Sequence, residues 1–252
     1  MKKSNCLMIP ILAALLICNS CERKEVALPR TGPAYTAVKI SEPPVIDGIL
    51  TENCWKDAEA GTLVLSSNGT KPEYSTTVRT VWDDNNLYVG FECQDPDAAS
   101  TVTNRDGLIS SQEYVSVCID ANADSLSYVM IEVAPTGVVF DAFVLSRDNG
   151  QSNKVLTCWD CEGLRVSVVV YGGGAQSGTE DRFWTVEIAI PFREFFTAPR
   201  IPPAIGDIWR VNFYRMDLTG RKDFSAFVPT GSESGQNPSK FSWLLYSSID
   251  SH

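Results

Sequence analysis

The chain has 252 residues and a formal net charge of −10, with 31 acids against 21 bases. Its lysines and arginines are scattered among acids, so there is no basic stripe to neutralise phosphates, which argues against nucleic-acid binding. The single histidine is His252 at the C-terminus, which removes Ser-His-Asp, Cys-His and His-bound zinc chemistry.

Lys2 and Lys3 precede an apolar stretch from Leu7 to Ile17, the layout of a secretory signal. It is too short for the ~20 apolar residues of a membrane span. In Ile17-Cys-Asn-Ser-Cys21 a small residue stands before a cysteine, as in a bacterial lipoprotein box. Residues 1–21 are therefore expected to be a lipoprotein signal peptide, with Cys21 acylated; the alternative is an ordinary signal peptide with an incidental cysteine. Its removal would carry the formal charge from −10 to −12, since Lys2 and Lys3 leave with no acid. Residues 22–37, with Pro29, Gly32 and Pro33, read as a flexible tether. The expected location is the bacterial cell envelope, lipid-anchored at the outer membrane on its periplasmic or surface face.

Residues 38–252 read as one domain, within the ~200–250 residues that a single all-β unit reaches. Strand patterns fall near 38–41, 63–66, 76–82, 87–94, 113–120, 127–134, 137–145, 164–171, 182–189, 208–215, 223–228 and 241–246, separated by polar or glycine-rich turns. The clearest is Thr77 to Glu92: Val78, Thr80 and Trp82 share one face, Leu87, Val89 and Phe91 share another, and a polar turn joins them as a hairpin. Thr51 to Ala58 and Phe192 to Phe196 are compatible with short helical pieces. Many short strands without long amphipathic helices predict an all-β antiparallel β-sandwich of two packed sheets, immunoglobulin- or jelly-roll-like. Trp55, Trp82, Trp184 and Trp209 sit in regular patterns and are expected in the packing.

The order of these motifs is specific. Pro44-Val-Ile-Asp-Gly48 with Trp55, the hairpin, and Phe183-Trp-Thr-Val-Glu-Ile-Ala-Ile-Pro191 are joined by Arg105-Asp106-Gly107, Val117-Cys-Ile-Asp120, Val133-Ala-Pro-Thr-Gly137, Val211-Asn-Phe-Tyr-Arg215 and Pro238-Ser-Lys-Phe241. Together, from about Val38 to Tyr246, they resemble the family 9 carbohydrate-binding modules. The resemblance implies a non-catalytic sugar binder. It implies two clamping tryptophans, one before the strand containing Glu113 and one before Pro238, where this chain has Ser110-Ser-Gln-Glu113 and Gly235-Gln-Asn237 instead. Arg105, Tyr114, Glu132, Asn212, Arg215, Asn237 and Lys240 occupy positions near those of the family's polar ligands, with Arg105 and Arg215 the expected main grip. Each has an alternative role in a salt bridge or a loop hydrogen bond. The resemblance also implies structural calcium, for which Asp95, Asp97 and Asp120 are the candidate ligands; solvated turn acids are the alternative.

Five cysteines remain beyond Cys21. Cys93 and Cys118 sit in strand patterns as small hydrophobes, whereas Cys158-Trp-Asp-Cys161 has redox or zinc spacing without the βαβ setting or second pair those require. The expected function is that of a carbohydrate-binding lipoprotein serving poly- or oligosaccharide capture. A protein-interaction sandwich in an envelope complex competes with it. A glycosidase using two of Glu132, Asp141 and Glu187 is a further alternative.

Overall fold

The computed structural model describes residues 32–147, 152–172, 182–232 and 236–248; the signal segment, Cys21, most of the tether and His252 lie outside them. The strands are β1 (Ala34–Lys39), β2 (Ala60–Thr62), β3 (Val64–Leu65), β4 (Thr76–Trp82), β5 (Asn86–Gln94), β6 (Tyr114–Asp120) and β7 (Ser127–Val133). They continue as β8 (Val139–Arg147), β9 (Ser152–Leu156), β10 (Arg165–Tyr171), β11 (Phe183–Pro191), β12 (Ile208–Asp217), β13 (Asp223–Ala226) and β14 (Ser242–Ser248). One helix, α1 (Asn53–Asp57), and a 3-10 turn at Phe192–Glu194 fall within the two helix-compatible pieces.

The fold is a β-sandwich made by one curled sheet in the order β10-β11-β5-β4-β1-β14-β12-β6-β7-β8-β9. β1 is the seam, parallel to β14 along its whole length and parallel to β4 at Val38↔Val81 and Lys39↔Trp82; the other pairs along this path are antiparallel. Residues 34–37 therefore belong to the sandwich and not to the tether. The reason is apolar burial, since Tyr35 and Ala37 are buried in the core. In the hairpin the register pairs Val78 with Phe91, Thr80 with Val89 and Trp82 with Leu87, so both expected faces point into the core together. β2 and β9 were not expected. Each is short and lacks an alternating apolar run.

The core lies between the halves of the sheet, where Val115, Val117 and Ile119 of β6 and Val129, Ile131 and Val133 of β7 meet residues such as Phe91 of β5 and Val186 and Ile188 of β11. An aromatic cluster fills one end: Tyr246 sits 5.3 Å from Trp82 and 5.0 Å from Trp209 between ring centroids. Truncating such a buried tryptophan to alanine costs ~3–5 kcal/mol.

Both outer faces are covered as well. On β11, Glu187 points outward and its carboxylate accepts from the backbone N–H groups of Asp47 and Gly48 and from Trp55 Nε1 at 2.9, 2.8 and 2.8 Å. This ties the Val45-Ile-Asp-Gly48 motif and α1 onto the sheet. Gly90 permits the close approach, because a Cβ there would lie 2.7 Å from Leu50 Cδ2. On the opposite half, every residue of β6 and β7 is buried, since Tyr114, Cys118, Tyr128 and Met130 form a second apolar layer with Tyr214 and Phe241.

Candidate functional site

The opening in that second layer is the candidate site. Tyr114 of β6, Met130 and Glu132 of β7 and Phe140 of β8 line a recess of about 240 Å³, closed by Gly107–Ser110 on one side and Gln236 on the other. The first wall is fixed by local chemistry. Asp106 N–H donates to the Val139 carbonyl at 3.0 Å, and buried Ile109 anchors the loop in the apolar layer. Asp106 has φ +60°, a left-handed conformation that costs ~1–2 kcal/mol for a residue with a side chain. Gly107 is required beside it, because a Cβ there would meet Val102 Cγ1 at 2.5 Å. The two loops flanking the recess are those from which the resemblance expects tryptophans. Leu108, 81% exposed, and Gln236 line it there instead.

Glu132 is the polar group of this recess with the least support. It is 4% exposed, it lies opposite Ser116 and Phe140 in the sheet, and among the described residues its carboxyl makes no hydrogen bond or ion pair. Burial lifts its pKa to about 8. A desolvated acid without a donor favours its neutral form.

Of the expected polar ligands, the fold brings Tyr114 and Glu132 together and gives the others different positions. Arg215 has the inward parity of Val211 and Phe213 and is 1% exposed. Its guanidinium donates to Asp95 Oδ2 at 2.7 Å and to the Gln94 carbonyl at 2.8 Å, with Asp217 Oδ2 at 3.1 Å. Asn212 is also enclosed, holding Val228 through both its N–H and its carbonyl. Arg105 donates to both carboxylate oxygens of Asp141 at 2.8 Å. Asn237 accepts from Ser239 N–H at 3.1 Å, capping the 3-10 turn Pro238–Lys240, and Lys240 is exposed at the end of that turn. These five residues do not line the recess: Arg215 is enclosed and committed to buried carboxylates, and Arg105, half-exposed, pairs with buried Asp141.

The calcium candidates separate in space. Asp120 lies at the far end of β6 from Glu113, where its carboxylate accepts from Ser125 N–H at 2.8 Å and closes the β6–β7 turn. Asp97 meets the Asp95 group through its backbone, its N–H donating to Asp95 Oδ1 at 2.9 Å. Asp95 instead joins Glu113 and Asp217, three buried acids with oxygens within 4.8 Å of one another. Thr219 Oγ1 lies within hydrogen-bond distance of both Asp95 and Glu113, at 3.0 and 3.1 Å, and its single proton can serve one of them at a time. Arg215 supplies one positive charge against three acids, and burial raises the pKa of Asp217 to about 7 and that of Glu113 as well. An all-oxygen donor set with surplus negative charge fits a hard divalent cation. Glu113 and Asp217 were not among the expected ligands; their partner Asp95 is far from both in sequence.

Glu132 and Glu187 face outward from opposite halves of the sandwich, and Asp141 is held by Arg105 and by Cys161 N–H at 2.7 Å. Cys158 and Cys161 are free thiols, with Cys161 buried. Two larger recesses lie elsewhere: one is lined by Glu52, whose Oε1 accepts from Val45 N–H at 3.2 Å and whose Oε2 is buried without a partner among the described residues, and the other by Arg221, which pairs with Asp223 at 2.7 Å.

A closed sandwich with a small recess on one outer face, apolar-walled and tipped by a single acid, has the form of a ligand-binding module. The chain belongs to the carbohydrate family 9 binding domain-like family, whose model matches residues 46–245. Among solved structures it is similar to a candidate carbohydrate-binding protein from Bacteroides uniformis, at 14% identity over 86% of this chain and 100% of that one, with a TM-score of 0.69. It is also similar to a family 9 carbohydrate-binding module from Caldicellulosiruptor kristjanssonii, seen in complex with cellotriose, at 18% identity over 88% of this chain and 96% of that one, with a TM-score of 0.59. The same module in complex with glucose aligns at 17% identity over 87% and 98%, with a TM-score of 0.59. No curated protein matches the chain.

Proposed function

We propose that the protein binds a carbohydrate in the Glu132 recess without transforming it, as a lipid-anchored module of the bacterial envelope that captures poly- or oligosaccharides. The observation that carries this is the recess itself: it lies between the two loops to which the family resemblance assigns sugar contacts, and its floor combines apolar surface with one acid. Apolar walls suit the C–H face of a pyranose, and a buried acid can satisfy hydroxyls that would otherwise lose their hydrogen bonds. The Caldicellulosiruptor complexes make glucose and gluco-oligosaccharides the first ligands to try. Acylation at Cys21 would hold the domain at a membrane, and calcium at Asp95, Glu113 and Asp217 would neutralise the buried acids and stiffen the strand ends that carry them.

The test is titration calorimetry with gluco-, xylo- and manno-oligosaccharides. At least one should bind without release of reducing sugar, and Phe140→Ala should weaken it about fivefold or more, as expected for ~1–3 kcal/mol of lost stacking. Absence of binding across a broad glycan panel would overturn the carbohydrate reading in favour of a protein partner.

A further inference from the structure

We infer that the recess selects a saccharide bearing a free amine, a hexosamine unit, whose ammonium pairs with the carboxylate of Glu132. This rests on the carbohydrate-binding reading and names the class of sugar within it.

The argument is one of charge. Glu132 is the only charged side chain among the described residues lining the recess, whose other walls are Gly107–Ser110, Tyr114, Met130, Phe140, Val155 and Gln236. No basic side chain is among those lining residues, and Arg105, in the loop that leads into the Gly107–Ser110 wall, is bound to Asp141 through both carboxylate oxygens. The titratable groups facing Glu132 are Tyr114 and Cys118 on β6 and Tyr128 on its own strand, and burial pushes all three upward, so they stay neutral. Among the described residues the site therefore holds one acid, 4% exposed, without a counter-charge.

A neutral sugar would leave that acid either protonated or ionised and uncompensated. An acidic sugar would add like charge with no cation to receive it. A ligand ammonium supplies the missing partner through charge-assisted hydrogen bonds to a carboxylate with little solvent exposure. Tyr114 and Phe140 add aromatic surface that favours a cation. The volume, about 240 Å³, equals the share of roughly eight waters at ~30 Å³ each and suits a single pyranose ring. The balance of protons follows: free Glu132 carries its proton near neutrality, and pairing with an ammonium releases it to solvent.

The experiment is calorimetry of the purified protein with D-glucosamine, glucose, N-acetylglucosamine and glucuronate at pH 7, repeated in buffers of different ionisation enthalpy. Glucosamine should bind at least tenfold more tightly than the other three, with release of up to one proton per ligand. Glu132→Gln, a neutral isostere, should abolish that preference and the proton release. Equal affinity for glucose and glucosamine, or a preference that survives in Glu132→Gln, would overturn the amine inference while leaving carbohydrate binding intact. If Glu132→Gln does not fold, the proton release of the unaltered protein decides alone. Binding of none of these or of a broad saccharide panel would overturn both readings.

Discussion

Glu132→Gln should make the protein more stable at high pH while leaving it unchanged at low pH. In the folded state the carboxyl titrates near 8 against an ordinary value of 4.5, because burial disfavours its charge. Between these values the folded chain holds a proton that the unfolded chain has given up, so stability falls as pH rises. This contribution is fully present below 4.5 and is lost as pH passes through 8. At about 1.36 kcal/mol per pH unit, the displacement sets a ceiling of about 5 kcal/mol. The assay is urea unfolding followed by tryptophan fluorescence from pH 4.5 to 9. Asp217, Glu113 and Asp120 also titrate abnormally, but they are common to both proteins and cancel in the difference. The stability gap between variant and parent should open with pH. A gap that stays within ~0.5 kcal/mol throughout would mean that Glu132 is ionised and solvated, and the reasoning about the recess would fail.

Arg215→Ala should destabilise the fold by ~3–5 kcal/mol in chemical denaturation, because it leaves Asp95 and Asp217 buried without their cation. It should leave saccharide affinity unchanged in protein that remains folded. Chelation should lower the melting temperature by ~5–10 °C if calcium is present at a hundred times its dissociation constant, a stabilisation of ~2.7 kcal/mol. Glu113→Gln should blunt that response, and no shift after exhaustive chelation would leave the acid triad as a protonated cluster. Mass spectrometry of the native N-terminus should find acylated Cys21; an unmodified Cys21 or a chain starting at Glu22 would remove the lipid anchor.

The sandwich was legible because alternation survives wherever one face meets the core, as at Val78, Thr80 and Trp82. The inward direction of Arg215 was also available: it continues the Val211, Phe213 parity, and a charged residue in that series signals a buried ion pair rather than a ligand contact. Glu132 could be placed on β7, but its burial could not, since it depends on loops crossing the outer face and not on the period of the strand. Gln236 gave no signal in a polar, glycine-bearing loop. The Asp95, Glu113, Asp217 group is assembled at the ends of β5, β6 and β12; β6 and β12 are paired, but β5 is neighbour to neither in the sheet, so only the packing of the sandwich brings its end to theirs. β9, polar over Ser152 to Lys154, lacks the apolar alternation that marks a strand and forms because β8 offers it an open edge.

The most direct test of the central claim is a heteronuclear NMR titration of the isotope-labelled protein with glucosamine and with gluco-oligosaccharides. Saturable shifts should concentrate at Gly107–Ser110, Tyr114, Met130, Glu132, Phe140 and Gln236. Saturable shifts that map instead to the 40–57 loop or to Arg221–Phe224, with the Glu132 recess unmoved, would contradict it.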